Sequence, residues 1–229
     1  DRISIAIDGI TFTCASDNNT NNYAYPRVGD PASGSNLAIS AVTSTKITVD
    51  VGAVPVDEYL TIPTSTDLGF DSNEFTVECW IKPNSVAAGG KSIFDFRLSN
   101  GEYSPYVYLD GAVVKYYVNG ADVIVGATSL VANTWYHVAI CKSAGVTKLF
   151  LNGVEQGVQY TDTNDYGSTK PLRIGAAWNA SNVFPGYIDE FRVSTTARYT
   201  AAFTAPTGIN QGDTNTVLLL HFDGVNGQV

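Results

Sequence analysis

Methionine is absent from all 229 residues, so residue 1 is no initiator and a cleaved product or a section of a longer polypeptide is expected. Charge is scarce too: Asp, Glu, Lys and Arg make up 15% of the chain, and 22 acidic residues outnumber 13 basic ones. A net charge of −9, with Lys and Arg scattered singly, repels polyanions. That argues against a nucleic-acid partner and serves solubility. Every apolar run falls well short of the roughly 18 residues that a membrane helix needs, so no membrane partner is expected. Cys14, Cys79 and Cys141 are too few and too widely spaced for a C-x-x-C or zinc pattern. Cys79 and Cys141 stand mid-strand among apolar residues and read as buried free thiols. A bridge between them stays open if their strands are neighbours.

What remains is apolar and turn-forming: 44% of residues are hydrophobic and 21 are Gly. Val, Ile, Thr, Tyr and Phe recur without a long helix-period stretch, an all-β composition. The chain is organised around Trp135 to Val154. Trp135, His137, Ala139 and Cys141 alternate there with Tyr136, Val138 and Ile140, the pattern of a strand with one face in a core. A break at Ser143-Ala144-Gly145 and a hairpin signal at Asn152-Gly153 follow, since both of the latter residues accept the positive φ of a type I′ turn. The stretch reads as strand, turn, strand, tight hairpin, strand.

Two blocks are expected. Residues 1–53 read as a small β module: a hairpin of Ile3–Ile7 with Ile10–Cys14, a polar loop from Ala15 to Gly34, then strands Leu37–Val42 and Ile47–Val51. Such a module is too small for a large core of its own. Gly52 to Pro55 marks the boundary, and residues 57–224 form the second block. Strands are expected there at Glu58–Ile62, Phe75–Pro83, Ser92–Arg97, Tyr106–Leu109, Val113–Val118, Val123–Val125, Leu172–Ala176 and Tyr187–Ser194. Asn100-Gly101, Asp110-Gly111 and Asn119-Gly120 supply turns. Val158–Thr169 reads as polar loop, Thr195–Tyr199 as a helical turn, and Val217–Phe222 as an apolar run buried on both faces. About a dozen short, regularly spaced strands argue for a β-sandwich of jelly-roll type.

Five segments sharpen this reading: F-T-V-E-C-W-I-K-P (Phe75–Pro83), W-Y-H-V-A (Trp135–Ala139), K-L-F-L-N-G-V (Lys148–Val154), L-R-I-G (Leu172–Gly175) and G-Y-I-D-E-F-R-V (Gly186–Val193). In that order they resemble a laminin-G-like, concanavalin A-like jelly-roll domain over roughly Asp57 to Pro206. The resemblance implies a two-sheet antiparallel sandwich. T-V-L-L-L-H-F-D-G (Thr216–Gly224) is similar to the segment bounding such domains in large structural proteins of tailed bacteriophages. The first block, with T-F-T-C (Thr11–Cys14), Y-P-R (Tyr25–Arg27), Asp30-Pro31 and I-T-V-D-V-G (Ile47–Gly52), resembles short modules of marine phage virion proteins. The family usually places an L-x-H-F-D-G strand before its D-x-Y-L segment, whereas the copy here is C-terminal. Val217–Phe222 is therefore expected to complete this domain's own sandwich beside the Glu58–Ile62 strand.

Enzymes exist on the fold that the resemblance implies. Retaining glucanases of this class place E-x-D-x-x-E or similar carboxylates on one strand, flanking the sugar bond at roughly 5–5.5 Å. No such motif occurs, and the adjacent Asp189 and Glu190 point to opposite faces. His137 and His221 have no nucleophile arrangement beside them, and His137 reads as a structural histidine within a strand. The sequence thus nominates no catalytic, cofactor-binding or metal-ligating residue, and the protein is read as not an enzyme. The family resemblance leaves calcium open. Asp189 fits the G-x-I-D-E signature, and Asp57, Asp110 and Asp223 lie near strand ends, but without a compact D-x-D set these acids read as partners of turn backbones. Tyr103, Tyr106, Tyr108, Tyr116 and Tyr117 cluster. Tyr106 and Tyr108 share a face that offers either a stacking platform for sugar rings or an amphipathic wall with hydroxyls in water. Asn18-Asn19-Thr20 and Asn179-Ala180-Ser181 fit the glycosylation pattern, relevant in a eukaryotic secretory host.

The expectation is a non-catalytic structural or surface protein of an extracellular assembly, a bacteriophage virion component such as a capsid decoration or a tail or fibre module. It would be oligomeric or bound to other virion or surface proteins. The alternative is a carbohydrate-binding adhesion module that recognises cell-surface glycans.

Overall fold

The structure, a computed structural model, describes residues 59–222 together with two strand segments, β1 (Ser4–Ala6) and β2 (Thr48–Asp50). Twelve strands follow: β3 (Leu60–Ser65), β4 (Phe75–Pro83), β5 (Lys91–Asp95), β6 (Tyr106–Asp110), β7 (Val113–Val118), β8 (Ala121–Val125), β9 (Tyr136–Ser143), β10 (Val146–Leu151), β11 (Val154–Thr161), β12 (Lys170–Ile174), β13 (Gly186–Ser194) and β14 (Thr216–Leu220). A 3-10 turn at Thr66–Leu68 is the one helical element among the described residues, capped by Ser65 Oγ, which accepts from the Asp67 N–H.

The strands form two layers. One sheet runs β1-β2-β14-β13-β4-β9-β10-β11 and the other β3-β12-β5-β6-β7-β8. From β14 to β11 and throughout the second sheet all neighbours are antiparallel. The architecture is therefore an all-β, two-sheet sandwich of jelly-roll type. Alternation supplies the core, because successive side chains of a strand face opposite sides. Val77, Cys79 and Ile81 of β4, Val138 and Ile140 of β9, Val107 and Leu109 of β6, and Val114 and Tyr116 of β7 all enter the shared interior.

The β9–β10–β11 meander has the expected turns. Ala144 and Gly145 (φ 48° and 74°) close the first hairpin, and Asn152 and Gly153 (φ 50° and 79°) close the second. All four angles are positive, as type I′ turns require. Prolines sit where the ladder tolerates them: Pro63 on the edge strand β3, and Pro171 within a register shift of β12.

Several expectations are corrected. β14 does complete the sandwich, with Leu218 and Leu220 in the core. Its antiparallel neighbour is β13, however (Leu220 opposite Phe191), while β3 pairs with β12 in the other sheet. Residues 158–161 belong to β11 rather than to a loop; Val158, Gln159 and Thr161 are exposed there because β11 is an edge strand. Residues 195–199 form no helix but begin a strap over the outer face of the first sheet. There Ala197, Tyr199 and Phe203 cover Ala139, Cys141 and Phe150, so β9 is buried on both faces. Cys79 and Cys141 lie on neighbouring strands, yet Cys79 faces the interior and Cys141 the strap, and both are free. β1 pairs antiparallel with β2, and β2 runs parallel to β14. Ile10–Cys14, the Ala15–Gly34 loop and Leu37–Val42 lie outside the described residues.

Candidate functional site

The same alternation that fills the core turns a second set of side chains outward from the six-stranded sheet. On β6 these are Tyr106 and Tyr108, and on β7 Lys115 and Tyr117. Beside them β5 ends in Asp95, whose carboxylate is buried and accepts from Arg97 Nε at 2.8 Å, Arg97 Nη2 at 2.7 Å and the Arg97 N–H at 2.9 Å. That fork fixes the guanidinium. Its carbon stands 3.9 Å from the Tyr106 ring centroid and 5.0 Å from that of Tyr117. Burial alone would lower the Arg97 pKa, but the hydrogen bond and charge of Asp95 raise it instead. Arg97 is thus a permanent cation, paired with Asp95 through Nε and Nη2, while Nη1 reaches Asn100 Oδ1 at 3.5 Å.

The loop after β12 closes the other side. Trp178 is held through its backbone at both ends, its N–H donating to Asp95 Oδ2 at 2.8 Å and its carbonyl accepting from Arg173 Nη1. Asn179 Oδ1 accepts from Ser181 Oγ at 2.6 Å, and the Asn182 carbonyl accepts from the Ser92 N–H at 2.8 Å, which ties the loop to β5. Ala180 and Asn182 both hold positive φ, 64° and 56°, to make the loop's reversals. Between loop and sheet lies an open recess of about 340 Å³ lined by Arg97, Asn100, the three tyrosines, Trp178 and the amides of Asn179 and Asn182, among others. That volume is at the lower end of the roughly 300–1,000 Å³ typical of small-molecule sites.

The tyrosine cluster is resolved into separate jobs. Tyr116 turns into the core and shares a 3.0 Å hydrogen bond with Tyr166, and Tyr103 is exposed away from the recess. Tyr106 and Tyr108 do share a face, but their rings stack on each other (centroids 4.9 Å apart, planes 10° apart), and Arg97 sits over Tyr106. They form a wall rather than an open platform, and their hydroxyls bond Ser92 and Asp122. Burial, then the hydrogen bond to Asp122, pushes the Tyr108 pKa well up. The aromatic face that sequence reading missed is Trp178, which packs on no other ring among the described residues. Its signal was a tryptophan within a turn-rich segment, where strand alternation does not account for it.

Asp110 and Asp189, the described members of the calcium set, stand in different sheets. Asp110 accepts from Lys115 Nζ and the Gly89 N–H, and Asp189 from the Glu190 N–H. Asp57 and Asp223 lie outside the described residues. No group of three or more His, Cys, Asp or Glu is placed to hold a metal among the described residues. A bulge between Asp189 and Arg192, with Glu190 at φ 51°, sends the Glu190 carboxylate to the Asn210 N–H and to His221 Nδ1. His137 is fully buried, with Nε2 3.0 Å from Glu78.

Solved structures share this fold at low identity. A candidate carbohydrate-binding protein of Bacteroides ovatus is 18% identical with a TM-score of 0.58, covering 77% of this chain and 53% of its own. Domain 4 of AbnA, a GH43 extracellular arabinanase of Geobacillus stearothermophilus solved with arabinotriose, is 21% identical with a TM-score of 0.50, covering 63% and 70% respectively. Tailspike protein 2 of Escherichia coli O157:H7 bacteriophage CAB120 is 14% identical with a TM-score of 0.51, covering 76% and 27%. The chain thus spans about half of the first of these and about a quarter of the tailspike. No curated protein sequence matches it. Residues 55–202 fit the family model Laminin_G_3, and with more than half of its length so matched, the chain belongs to the concanavalin A-like lectin/glucanases superfamily.

Proposed function

We propose that this protein is a non-catalytic glycan-recognition module of an extracellular assembly, and that the recess beside Trp178 is where the glycan sits. The observation that carries this reading is the recess itself. One unstacked indole, flanked by the amides of Asn100, Asn179 and Asn182, is held by a loop pinned to Asp95 and Ser92. A sugar offers what such a site takes, an apolar ring face for the indole and hydroxyls for the amides. The paired state of Asp95, Asp110 and Glu78 gives no acid and base flanking a bond, which supports binding without cleavage. The fold shared with a candidate carbohydrate-binding protein and with an arabinotriose-bound domain is consistent with it. The test is a glycan array followed by calorimetry on its hits. Trp178→Ala should weaken binding by about tenfold or more while leaving the fold intact. Full affinity in that variant would remove the recess from the reading.

A second, compatible reading is a virion component, a tail, fibre or decoration module associated with other virion proteins. It is favoured by the pairing of β2 with β14, which joins a strand of the block whose motifs resemble phage virion modules to the sandwich, and by the fold shared with a phage tailspike. Quantitative mass spectrometry of purified particles tests it. Peptides from both blocks at fixed stoichiometry to a major shell protein are expected, and their absence from particles would refute a virion role.

A further inference from the structure

Resting on the recess as the glycan site, we infer that its ligand is a neutral sugar rather than a uronate, sialate or sulfated one. The cations that line the recess or flank Tyr108 are already paired with carboxylates. Arg97, the guanidinium that lines the recess, gives Nε and Nη2 to Asp95, and its flat face is covered by Tyr106 and Tyr117. Asp95 is 1% exposed. Turning Arg97 toward an anionic ligand would leave that buried carboxylate with half its donors gone, the unfavourable side of any buried ion pair. Lys115 is shared by two carboxylates, Asp110 at 3.0 Å and Asp122 at 3.1 Å, so the Tyr108 end of the recess carries net negative charge. Lys170 is bound to Glu102. Arg173 faces Asp95 across the strand ladder, gives Nη1 to the Trp178 carbonyl and does not line the recess.

What the recess presents instead is uncharged. Asn100 accepts from the Tyr117 hydroxyl at 3.2 Å, and Asn179 accepts from Ser181, so the oxygens of these amides are engaged and their NH₂ groups are left to meet hydroxyl oxygens. An acidic ligand would enter a recess whose lining guanidinium is already paired and whose Tyr108 end neighbours Asp110 and Asp122, within a protein of net charge −9. Selectivity here comes from repulsion as much as from fit.

The experiment is calorimetry on the full chain with pairs of oligosaccharides of equal length, neutral glucan, galactan or arabinan oligomers against polyuronate and sulfated counterparts. Neutral members should bind with affinity changing less than about threefold between low and roughly 0.5 M salt, because no exposed ion pair forms. Acidic counterparts should bind about tenfold more weakly or not at all. In Asp110→Asn/Asp122→Asn, which frees Lys115, the gap between neutral and acidic members should narrow. Acidic members that bind as tightly as neutral ones, with affinity falling as salt rises, would overturn the neutral assignment while sparing the recess. A gap unchanged in the double variant would also count against it. Failure of the folded chain to bind any member, or binding that Trp178→Ala leaves intact, would instead overturn the recess as the glycan site.

Discussion

Glu78 stands on β4 between Arg192 of β13 and His137 of β9, with Tyr199 of the strap above it. Oε1 accepts from Arg192 Nε at 2.8 Å and Nη2 at 2.6 Å, and Oε2 from His137 Nε2 at 3.0 Å and the Tyr199 hydroxyl at 2.8 Å. Four donors saturate one buried carboxylate, so its role is to register three strands and the strap rather than to exchange protons with a ligand. His137 Nδ1 is buried without a hydrogen-bond partner, and the ring has no face open to solvent. Burial pushes the Glu78 pKa up, but the His137 hydrogen bond and the Arg192 charge outweigh it and leave the group below the ordinary 4.5. Glu78→Gln leaves the guanidinium underpaired in a buried setting and is expected to cost about 3–5 kcal/mol in chemical denaturation. A folded pKa below the unfolded one means that the unfolded state takes up the proton first as pH falls. The wild-type advantage over Glu78→Gln should therefore be complete above about pH 4.5 and shrink below it. The same stability gap at about pH 3 as at about pH 7 would refute the ionic account.

The strap is an element without regular secondary structure, yet it makes the outer face of β9 and β10 a second small core. Tyr199 and Phe203 stack with centroids 3.6 Å apart and planes 6° apart, over Ala139, Cys141 and Phe150. Thr76 Oγ1 donates to the Thr196 carbonyl at 2.7 Å and accepts from the Arg198 N–H at 2.9 Å, while the Phe203 N–H donates to the Gly153 carbonyl at 3.0 Å. Gly153 thus serves two ends. Its φ of 79° makes the hairpin turn, and any Cβ there would run into the Phe203 carbonyl. Gly153→Ala should lift the strap, lowering stability by about 1–3 kcal/mol through strain and lost packing. A local readout separates this from general unfolding. Cys141 is covered by the strap, whereas Cys79 is sealed between the sheets, its thiol pushed well up in pKa by burial. In Gly153→Ala, maleimide labelling mapped by peptide mass spectrometry should accelerate at Cys141 and not at Cys79. Equal acceleration at both would mean the whole sandwich opens instead.

At the scale of the whole molecule, what the sequence discloses and what it hides divide along local and non-local lines. β4 and β7 run over Phe75–Pro83 and Val113–Val118 as the alternation predicts, because each residue's face is a local property and Asn-Gly or Asp-Gly pairs mark the nearby turns. The partner of β14 was illegible: an apolar run shows that a strand is buried, but not which sheet buries it. The recess was half legible for the same reason. The tyrosines share a face on adjacent strands, but Asp95, Arg97 and the Trp178 loop reach them only through the β12–β5 and β5–β6 pairings. The strap hid because its aromatics follow no strand or helix period. Non-local pairing also sets the final expectation. Among the described residues the main core cluster runs from Leu60 to Leu220, and a chain lacking residues 1–53 is expected to keep a cooperative thermal melt. It would lose the β2 strand that pairs Thr48 and Val49 with Leu219 and Leu220, leaving the free edge of β14 lined by leucines. Such an edge recruits other strands, so light scattering should show concentration-dependent association that the full chain does not share. A truncated chain that stays monomeric would mean that β14 needs no cover, and one that fails to fold would make the first block part of the sandwich rather than a module beside it.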